Sequence, residues 1–271
     1  MPISHIVRSA VAGMLSHKLH LDTIANNLAN SNTTGFKAAK VHFQDVLYQN
    51  YTHAANVEDV QVGAGVRPSA ITPAYTQGDL EQTDMPTDVA IYGDGFFRVQ
   101  APDGTPAYTR NGSFHLDIVG GQRVLVNGDG HVVLGADNGP IIVGTDHSAQ
   151  SLAILANGDI QATRFDEARA TDVVTTIGQL SLARFVNPEG LELVGQTLAR
   201  ASVTSGAAEV GVAGTTVGFG QLVGGTLERS NVNVADEMTS MVQAQRAYSL
   251  SVQALKTLDE MIGLANNIRS R

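Results

Sequence analysis

Cysteine and tryptophan are absent from this 271-residue chain, and lysine occurs only at Lys18, Lys37, Lys40 and Lys256. Without cysteine there is no disulfide framework and no thiolate chemistry, a composition that suits work outside the cytosol. A formal net charge of −9 leaves no basic stripe for phosphates, so nucleic acid is not an expected partner. An anionic membrane surface is an equally poor match. No apolar run approaches the roughly 18 residues a spanning helix needs, so direct membrane insertion is not expected. The N-terminus lacks a basic stretch followed by a continuous apolar core, which reads as no cleaved signal peptide. If exported, the chain leaves by a route that needs none.

What is present is ordinary for a folded protein, with 43% hydrophobic and 16% charged residues. The length allows one large domain or two smaller ones. Residues 234 to 268 have a helical period. Taking Leu255 as centre, Val234, Met241, Ala244, Tyr248, Val252, Leu258 and Ile262 lie within roughly 60° of it. Met241, Tyr248, Leu255 and Ile262 recur every seventh residue, as in a coiled-coil seam. Leu250, Met261, Leu264 and Ile268 form a second apolar patch far round the helix. Asp259 falls about 40° from the seam centre, where burial would require a partner. Asn231 and Asn233 stand where caps belong. Such a helix, about 52 Å long, is marginal without a partner surface, and one neighbour cannot cover both patches.

Residues 3 to 30 repeat this pattern. Ile3, Ile6, Val7, Ala10, Met14, Ile24, Ala25 and Leu28 gather on the face of Leu21, with Val7, Met14, Leu21 and Leu28 seven apart. Pro2 and Ser4 suit a helix start, and Leu15 and Leu19 lie opposite. The asparagine-rich run from Asn26 to Asn32, closed by Gly35, reads as a helix stop. Residues 38 to 85 lack strong periodicity and read as a connector that orders against neighbours.

From residue 88 to about 200 the period becomes two. Segments 89–92, 96–99, 106–109, 113–116, 123–126, 131–134, 141–143, 151–155, 160–165 and 180–186 read as short strands. Between them stand Gly93-Asp94-Gly95, Asp103-Gly104, Asn111-Gly112, Gly120-Gly121, Asn127-Gly128, Asn138-Gly139 and Asn157-Gly158, all suited to tight turns. Residues 203 to 230, rich in Gly, Ala, Thr and Val, read as a return path to the last helix.

Chemical motifs are missing. His17 and His20 are three apart on the first helix, but a metal site needs three or four convergent ligands. Asn127-Gly128-Asp129-Gly130 occurs once and reads as a hairpin turn rather than a calcium repeat. There is no GxSxG, HExxH or phosphate-binding glycine loop. Asp236-Glu237 and Asp259-Glu260 do not converge on one point. No catalytic residue, cofactor or metal ligand is therefore expected.

Three stretches resemble the flagellar basal-body rod and hook proteins. The first is Ala25-Asn26-Asn27-Leu28-Ala29-Asn30 with Asn32-Thr33-Thr34-Gly35-Phe36-Lys37. The second is Asp88-Val89-Ala90-Ile91, Gly93, Gly95, Phe96, Phe97 and Tyr108-Thr109-Arg110 with Gly112 and Phe114. The third runs from Leu227-Glu228-Arg229-Ser230-Asn231-Val232-Asn233-Val234-Ala235 through Glu237-Met238 to Ala244-Gln245-Arg246-Ala247-Tyr248. Val62 to Pro68 and Gln77 to Thr83 resemble the distal-rod branch of that family. A hook subunit would carry a further outer β domain, for which the chain has no room.

The resemblance implies an α+β fold: long N- and C-terminal helices packed together, coiled-coil-like, plus a central all-β domain of hairpins. The expected divisions are 1–35 with 231–271 for assembly, 36–85 with 206–230 as extended connector, and 86–205 as the β domain. It implies a non-enzymatic subunit of a helical tube carrying torque from motor to hook. A proximal-rod or rod–hook junction adaptor is the alternative, and a β-domain hydrolase with helical arms lacks its nucleophile and base. Implied partners are further copies of the chain, other rod and hook subunits, surrounding ring proteins and the type III export apparatus. Implied interface residues are Val7, Met14, Leu21, Leu28, Met241, Tyr248, Leu255 and Ile262. The family motif falls on Asn26, Asn27, Asn30, Gly35, Phe36, Asn231, Gln245 and Arg246. The end helices are expected to be loose until the subunit joins the rod.

Overall fold

The computed structural model describes residues 3–51, 60–144, 151–166, 171–195, 197–214 and 216–269. Pro2, and the side chains of Ile3, Ser4, Ile6 and Ile268, lie outside the described residues. The chain forms two compact units, one from Met1–Ala29, Ala39–Ala74 and Val232–Arg271, the other from Asn30–Ala38 and Tyr75–Asn231.

In the first unit, α1 (Ile3–Ala29) packs along α2 (Val234–Arg269). Asn27 bonds Glu237 at one end and Val7 lies beside Leu255 and Leu258 at the other, so the helices are antiparallel. Asn233 caps α2, its Oδ1 accepting the Ala235 N–H at 3.1 Å and its carbonyl the Glu237 N–H at 3.0 Å. One face of α2 is partly covered, from Met241 through Ala244, Tyr248, Val252, Leu255 and Leu258 to Ile262, and Ala244 is fully buried. Val234, placed on that face by its period, is exposed, and so is Asp259, which therefore needs no buried partner. Among the described residues of α1 the buried ones are Ser16, Thr23, Ile24 and Asn27.

Residues 39–45 and 66–73, within the stretch of weak periodicity, pair as an antiparallel hairpin against α1. The pair is irregular between His42 and Phe43, and Phe43 meets His20 edge-on at 6.0 Å. Exposed positions outnumber covered ones along both strands, which is why no alternating signal marked them.

The second unit is antiparallel throughout. Its largest sheet runs in the order Glu192–Gly195, Leu198–Arg200, Pro106–Thr109, Phe96–Gln100, Val132–Val133, Gln122–Asn127 and Phe114–Val119. Ser181–Arg184 pairs with both Phe96–Gln100 and Glu209–Val212. Leu152–Ile154, Asp159–Asp166 and Thr171–Gln179 form a three-stranded meander. Val89–Tyr92 pairs with Gln221–Gly224, and Leu80–Gln82 with Thr226–Glu228. Residues 203–230 thus supply strands. The expected strand at 141–143 makes one bridge, Val124 to Ile142, yet keeps its alternation, with Ile141 and Val143 buried and Ile142 exposed.

Gly120 and Gly121, both at positive φ, close the hairpin from Phe114–Val119 to Gln122–Asn127. Asn127 closes the next turn, its Oδ1 accepting the N–H groups of Asp129 and His131. Asn111-Gly112 acts differently: a Cβ on Gly112 would stand 1.7 Å from the Val89 carbonyl oxygen, so glycine is needed for close approach. Adjacent phenylalanines feed opposite sides of one strand. Phe97 joins Ile91, Val99, Leu125 and Leu182 in the main core and meets Phe114 edge-on at 5.0 Å. Phe96 joins Tyr108, Phe185 and Leu191 in a second core, flanked by Tyr75.

The terminal helices and the antiparallel β unit make the α+β class that the sequence implies.

Candidate functional site

The motif residues near the first turn of the chain fall into two clasps, one in each unit. In the helical unit the clasp is Asn27. Its Oδ1 accepts the Ala39 N–H at 2.9 Å, and its Nδ2 donates to the Ala39 carbonyl at 3.0 Å and to Glu237 Oε1 at 3.1 Å. A buried amide spends both donors and its acceptor tying the end of α1 to the strand that begins at Ala39 and to the first turn of α2. Asn26, beside it, is exposed.

In the β unit the clasp is a carboxylate, Glu228, whose side chain is fully enclosed. Lys37 Nζ donates to its Oε1 at 2.6 Å and to the Thr76 carbonyl at 2.8 Å. The Gly78 N–H reaches the same Oε1 at 2.9 Å, while Arg110 Nη1 reaches Oε2 at 3.3 Å. Arg110 also donates to the Gly93 carbonyl at 3.0 Å and lies over the Phe96 ring, 5.4 Å from its centroid. Burial pushes the Lys37 ammonium below its ordinary value and Glu228 draws it back; Arg110 is lowered and opposed in the same way. Burial beside Phe96 raises the Tyr75 phenol to about 12, with the Arg110 charge opposing.

The backbone follows the side chains. The Gly35 N–H donates to the Glu228 carbonyl at 2.8 Å, and Gly35 has φ +68. A Cβ there would sit 2.5 Å from the Asn111 nitrogen, so only glycine fits. Phe36 is half-buried, and Asn30 accepts the Thr33 N–H on its carbonyl at 3.1 Å. Asn231 is a clamp rather than a helix cap. Its Oδ1 accepts the Ala38 N–H at 2.8 Å, and its Nδ2 donates to Thr76 Oγ1 at 2.8 Å.

The clasp joins segments 35–38, 76–78, 93–110 and 226–231 through charge-assisted bonds shut away from water. Every oxygen of Glu228 is taken, so the group holds chain segments together and offers no open position for a substrate. Sequence reasoning named Lys37, Arg110 and Glu228 only as motif letters. In Thr226–Glu228 the outer two residues are buried and Leu227 between them is half-buried, the reverse of what hydrophobicity alone would place inside.

The seam residues Val7, Met14, Leu21 and Leu28 on α1 and Met241, Tyr248, Leu255 and Ile262 on α2 are all half-buried. The second patch is not covered: Leu250, Met261 and Leu264 are 65%, 64% and 63% exposed. Gln245 and Arg246 lie on exposed positions of α2, their side chains without a hydrogen-bond partner among the described residues.

Three family models match in the order of the three motif stretches. They are the flagella basal body rod protein over residues 8–37, the flagellar hook protein FlgE/F/G D1 domain over 90–162, and the flagellar basal body rod FlgEFG protein C-terminal region over 223–268. The flagellar basal-body rod protein FlgG of Borreliella burgdorferi is 38% identical over 269 residues, 96% of this chain and 97% of that protein. The protein of the same name from Caulobacter vibrioides is 34% identical over 273 residues, 97% and 99% of the two chains. The flagellar hook-basal body complex protein FlhP of Bacillus subtilis is 27% identical over 264 residues, 92% and 93% of the two. With near-complete coverage at such identity, the chain belongs to the flagellar basal-body rod protein family.

Proposed function

We propose that this chain is a non-catalytic subunit of the distal flagellar rod, polymerising into a helical tube that transmits torque from motor to hook. The observation that carries this reading is the open apolar face of α2. Leu250, Met261 and Leu264 remain in water after α1 has covered the opposite side. Exposed apolar surface on an ordered helix calls for a further partner. Copies related by a repeated, non-closing contact give a filament. Residues 1–35 and 231–271 form the assembly portion in this reading, 36–85 and 206–230 the connector, and 86–205 the outward β portion.

The seam residues Val7, Met14, Leu21, Leu28, Met241, Tyr248, Leu255 and Ile262 then serve twice, pairing the helices within one copy and setting the shape offered to the next. Gln245 and Arg246 stand ready for polar contacts between copies. Export proceeds through the flagellar type III apparatus, delivering the subunit beyond the cytoplasm to the cell envelope. There it contacts other rod and hook subunits and the surrounding rings.

The identity to a hook-basal body complex protein that is not named as a rod subunit supports the alternative of a junction adaptor. Electron microscopy of basal bodies carrying an epitope-tagged copy separates the two. Label along the outer length of the rod is expected; label confined to a single ring at the rod–hook boundary favours the adaptor. A companion variant, Tyr248→Asp, should leave the β unit folded and eliminate assembly, and normal assembly would remove the seam from the account.

A further inference from the structure

Four Asn-Gly pairs occur in the β unit, at Asn111, Asn127, Asn138 and Asn157. Asparagine before glycine is prone to lose its amide, because a following nitrogen unshielded by a Cβ can reach the side-chain amide carbon. Three of the pairs are held against that reaction. Asn127 is fully buried, and its Oδ1 takes two backbone N–H groups. Asn111 is buried with its Oδ1 accepting from Thr34 Oγ1 and the Ser113 N–H, and its glycine is wedged under the Val89 carbonyl. Asn157 is held at both side-chain atoms by Asp159, at 3.2 Å and 2.7 Å.

Asn138 differs. It is exposed, its backbone sits at φ +61, and its Oδ1 accepts from Arg98 Nη2. Arg98 is itself unusual. It is 7% exposed, its Nη1 donates to Ser181 Oγ at 3.2 Å, its Nε has no partner, and among the described residues no carboxylate pairs with it. A guanidinium on an amide oxygen draws electrons from the amide carbon and stabilises the oxyanion formed when a nitrogen adds there. A buried guanidinium without a counter-charge also favours a carboxylate over an amide as its neighbour.

We propose that Asn138 is a built-in deamidation site, activated by Arg98, and that the aspartate it yields becomes the missing counter-ion of that buried cation. The Gly139 nitrogen loses its proton and bonds to Asn138 Cγ. The Cγ–Nδ2 bond breaks, and the nitrogen leaves as ammonia with the proton. Water then opens the cyclic imide. Opening at the main-chain carbonyl gives isoaspartate; opening at Cγ gives the aspartate that faces Arg98. Water is the sole co-reactant, and no group is oxidised or reduced.

The test is peptide mapping by mass spectrometry of the purified full chain, held for weeks at neutral pH and body temperature, with each Asn-Gly pair read separately. Asn138 is expected to convert at least about tenfold faster than Asn111 or Asn127, a barrier difference of about 1.4 kcal/mol. Gly139→Ala gives a clean control, because a Cβ there meets nothing within 4 Å and the residue is not at positive φ. It should fold normally and lose most of the conversion. Arg98→Lys should slow conversion several-fold, and Asn138→Asp, read separately by thermal melting, should raise the Tm. Equal rates at the buried pairs, an unchanged rate in Gly139→Ala or in a folded Arg98→Lys, or a lowered Tm in Asn138→Asp would each overturn the proposal.

Discussion

The two units of this chain solve the problem of staying folded in different ways. The helical unit carries eight basic and eight acidic residues and so has no net charge; the β unit carries nine basic and eighteen acidic, and so the whole net charge of −9. The β unit surrounds two hydrophobic cores and turns most of its described carboxylates to water, and it spends two of its nine cations on a buried acid. The helical unit covers one stripe of each helix, clasps it with a single amide, and leaves large apolar side chains in water. A neutral, apolar surface can lie against its own copy without charge repulsion, whereas a strongly acidic one resists doing so. In the proposed reading, the contrast puts self-association on the helices and solubility on the strands.

The sharpest break in that contrast comes at Glu228. Glu228→Gln leaves two buried cations without their anion and is expected to cost the β unit about 3–5 kcal/mol. Denaturant unfolding would measure it, with amide exchange along Val89–Tyr92 as the local reporter. If the helices lost protection equally, the two units would not be held by separate means. A smaller effect is expected on the other side. Asn27→Ala removes three hydrogen bonds and leaves the Ala39 backbone wanting, for about 1–3 kcal/mol, read from amide exchange in α1 and α2.

The smallest effect concerns alkali. The Tyr75 phenol lies above its ordinary value of 10, at about 12 in the folded chain. The folded state therefore holds a proton that the unfolded state releases, so this contribution is complete below pH 10 and is lost as the pH rises through about 12. Lys37, lowered from 10.5, has the opposite sign, with stability rising as the pH approaches 10.5, and no longer changes above it. The Tyr75 contribution should thus fall between pH 10.5 and 12, against a rising one from the lowered Arg110, and Tyr75→Phe should shift the slope of a series of melts upward in that window.

Much of the architecture was legible because its signals are local. Heptad spacing marked α1 and α2, and Gly-Asp-Gly and Asp-Gly turns separated Val89–Tyr92, Phe96–Gln100 and Pro106–Thr109. What escaped notice depended on partners far along the chain. The hairpin of Ala39–Asp45 and Val66–Pro73 is mostly exposed, so it shows no alternation. Thr226–Glu228 turns its glutamate inward because Lys37 and Arg110, 191 and 118 residues away, wait for it. Nothing in Leu227-Glu228-Arg229 announces that inversion. Asn231 stood where a cap belongs but binds Ala38 and Thr76 instead, while Asn233 caps the helix.

Sedimentation velocity over a range of concentrations tests the central claim most directly, comparing the unaltered chain with the triple variant Leu250→Asp, Met261→Asp, Leu264→Asp. All three positions are exposed, so the variant should keep its circular dichroism and melt like the original. The account predicts that the original chain grows into larger species with concentration while the variant stays monomeric. Equal growth of both would contradict it, since the open face of α2 would then not be what joins one copy to the next.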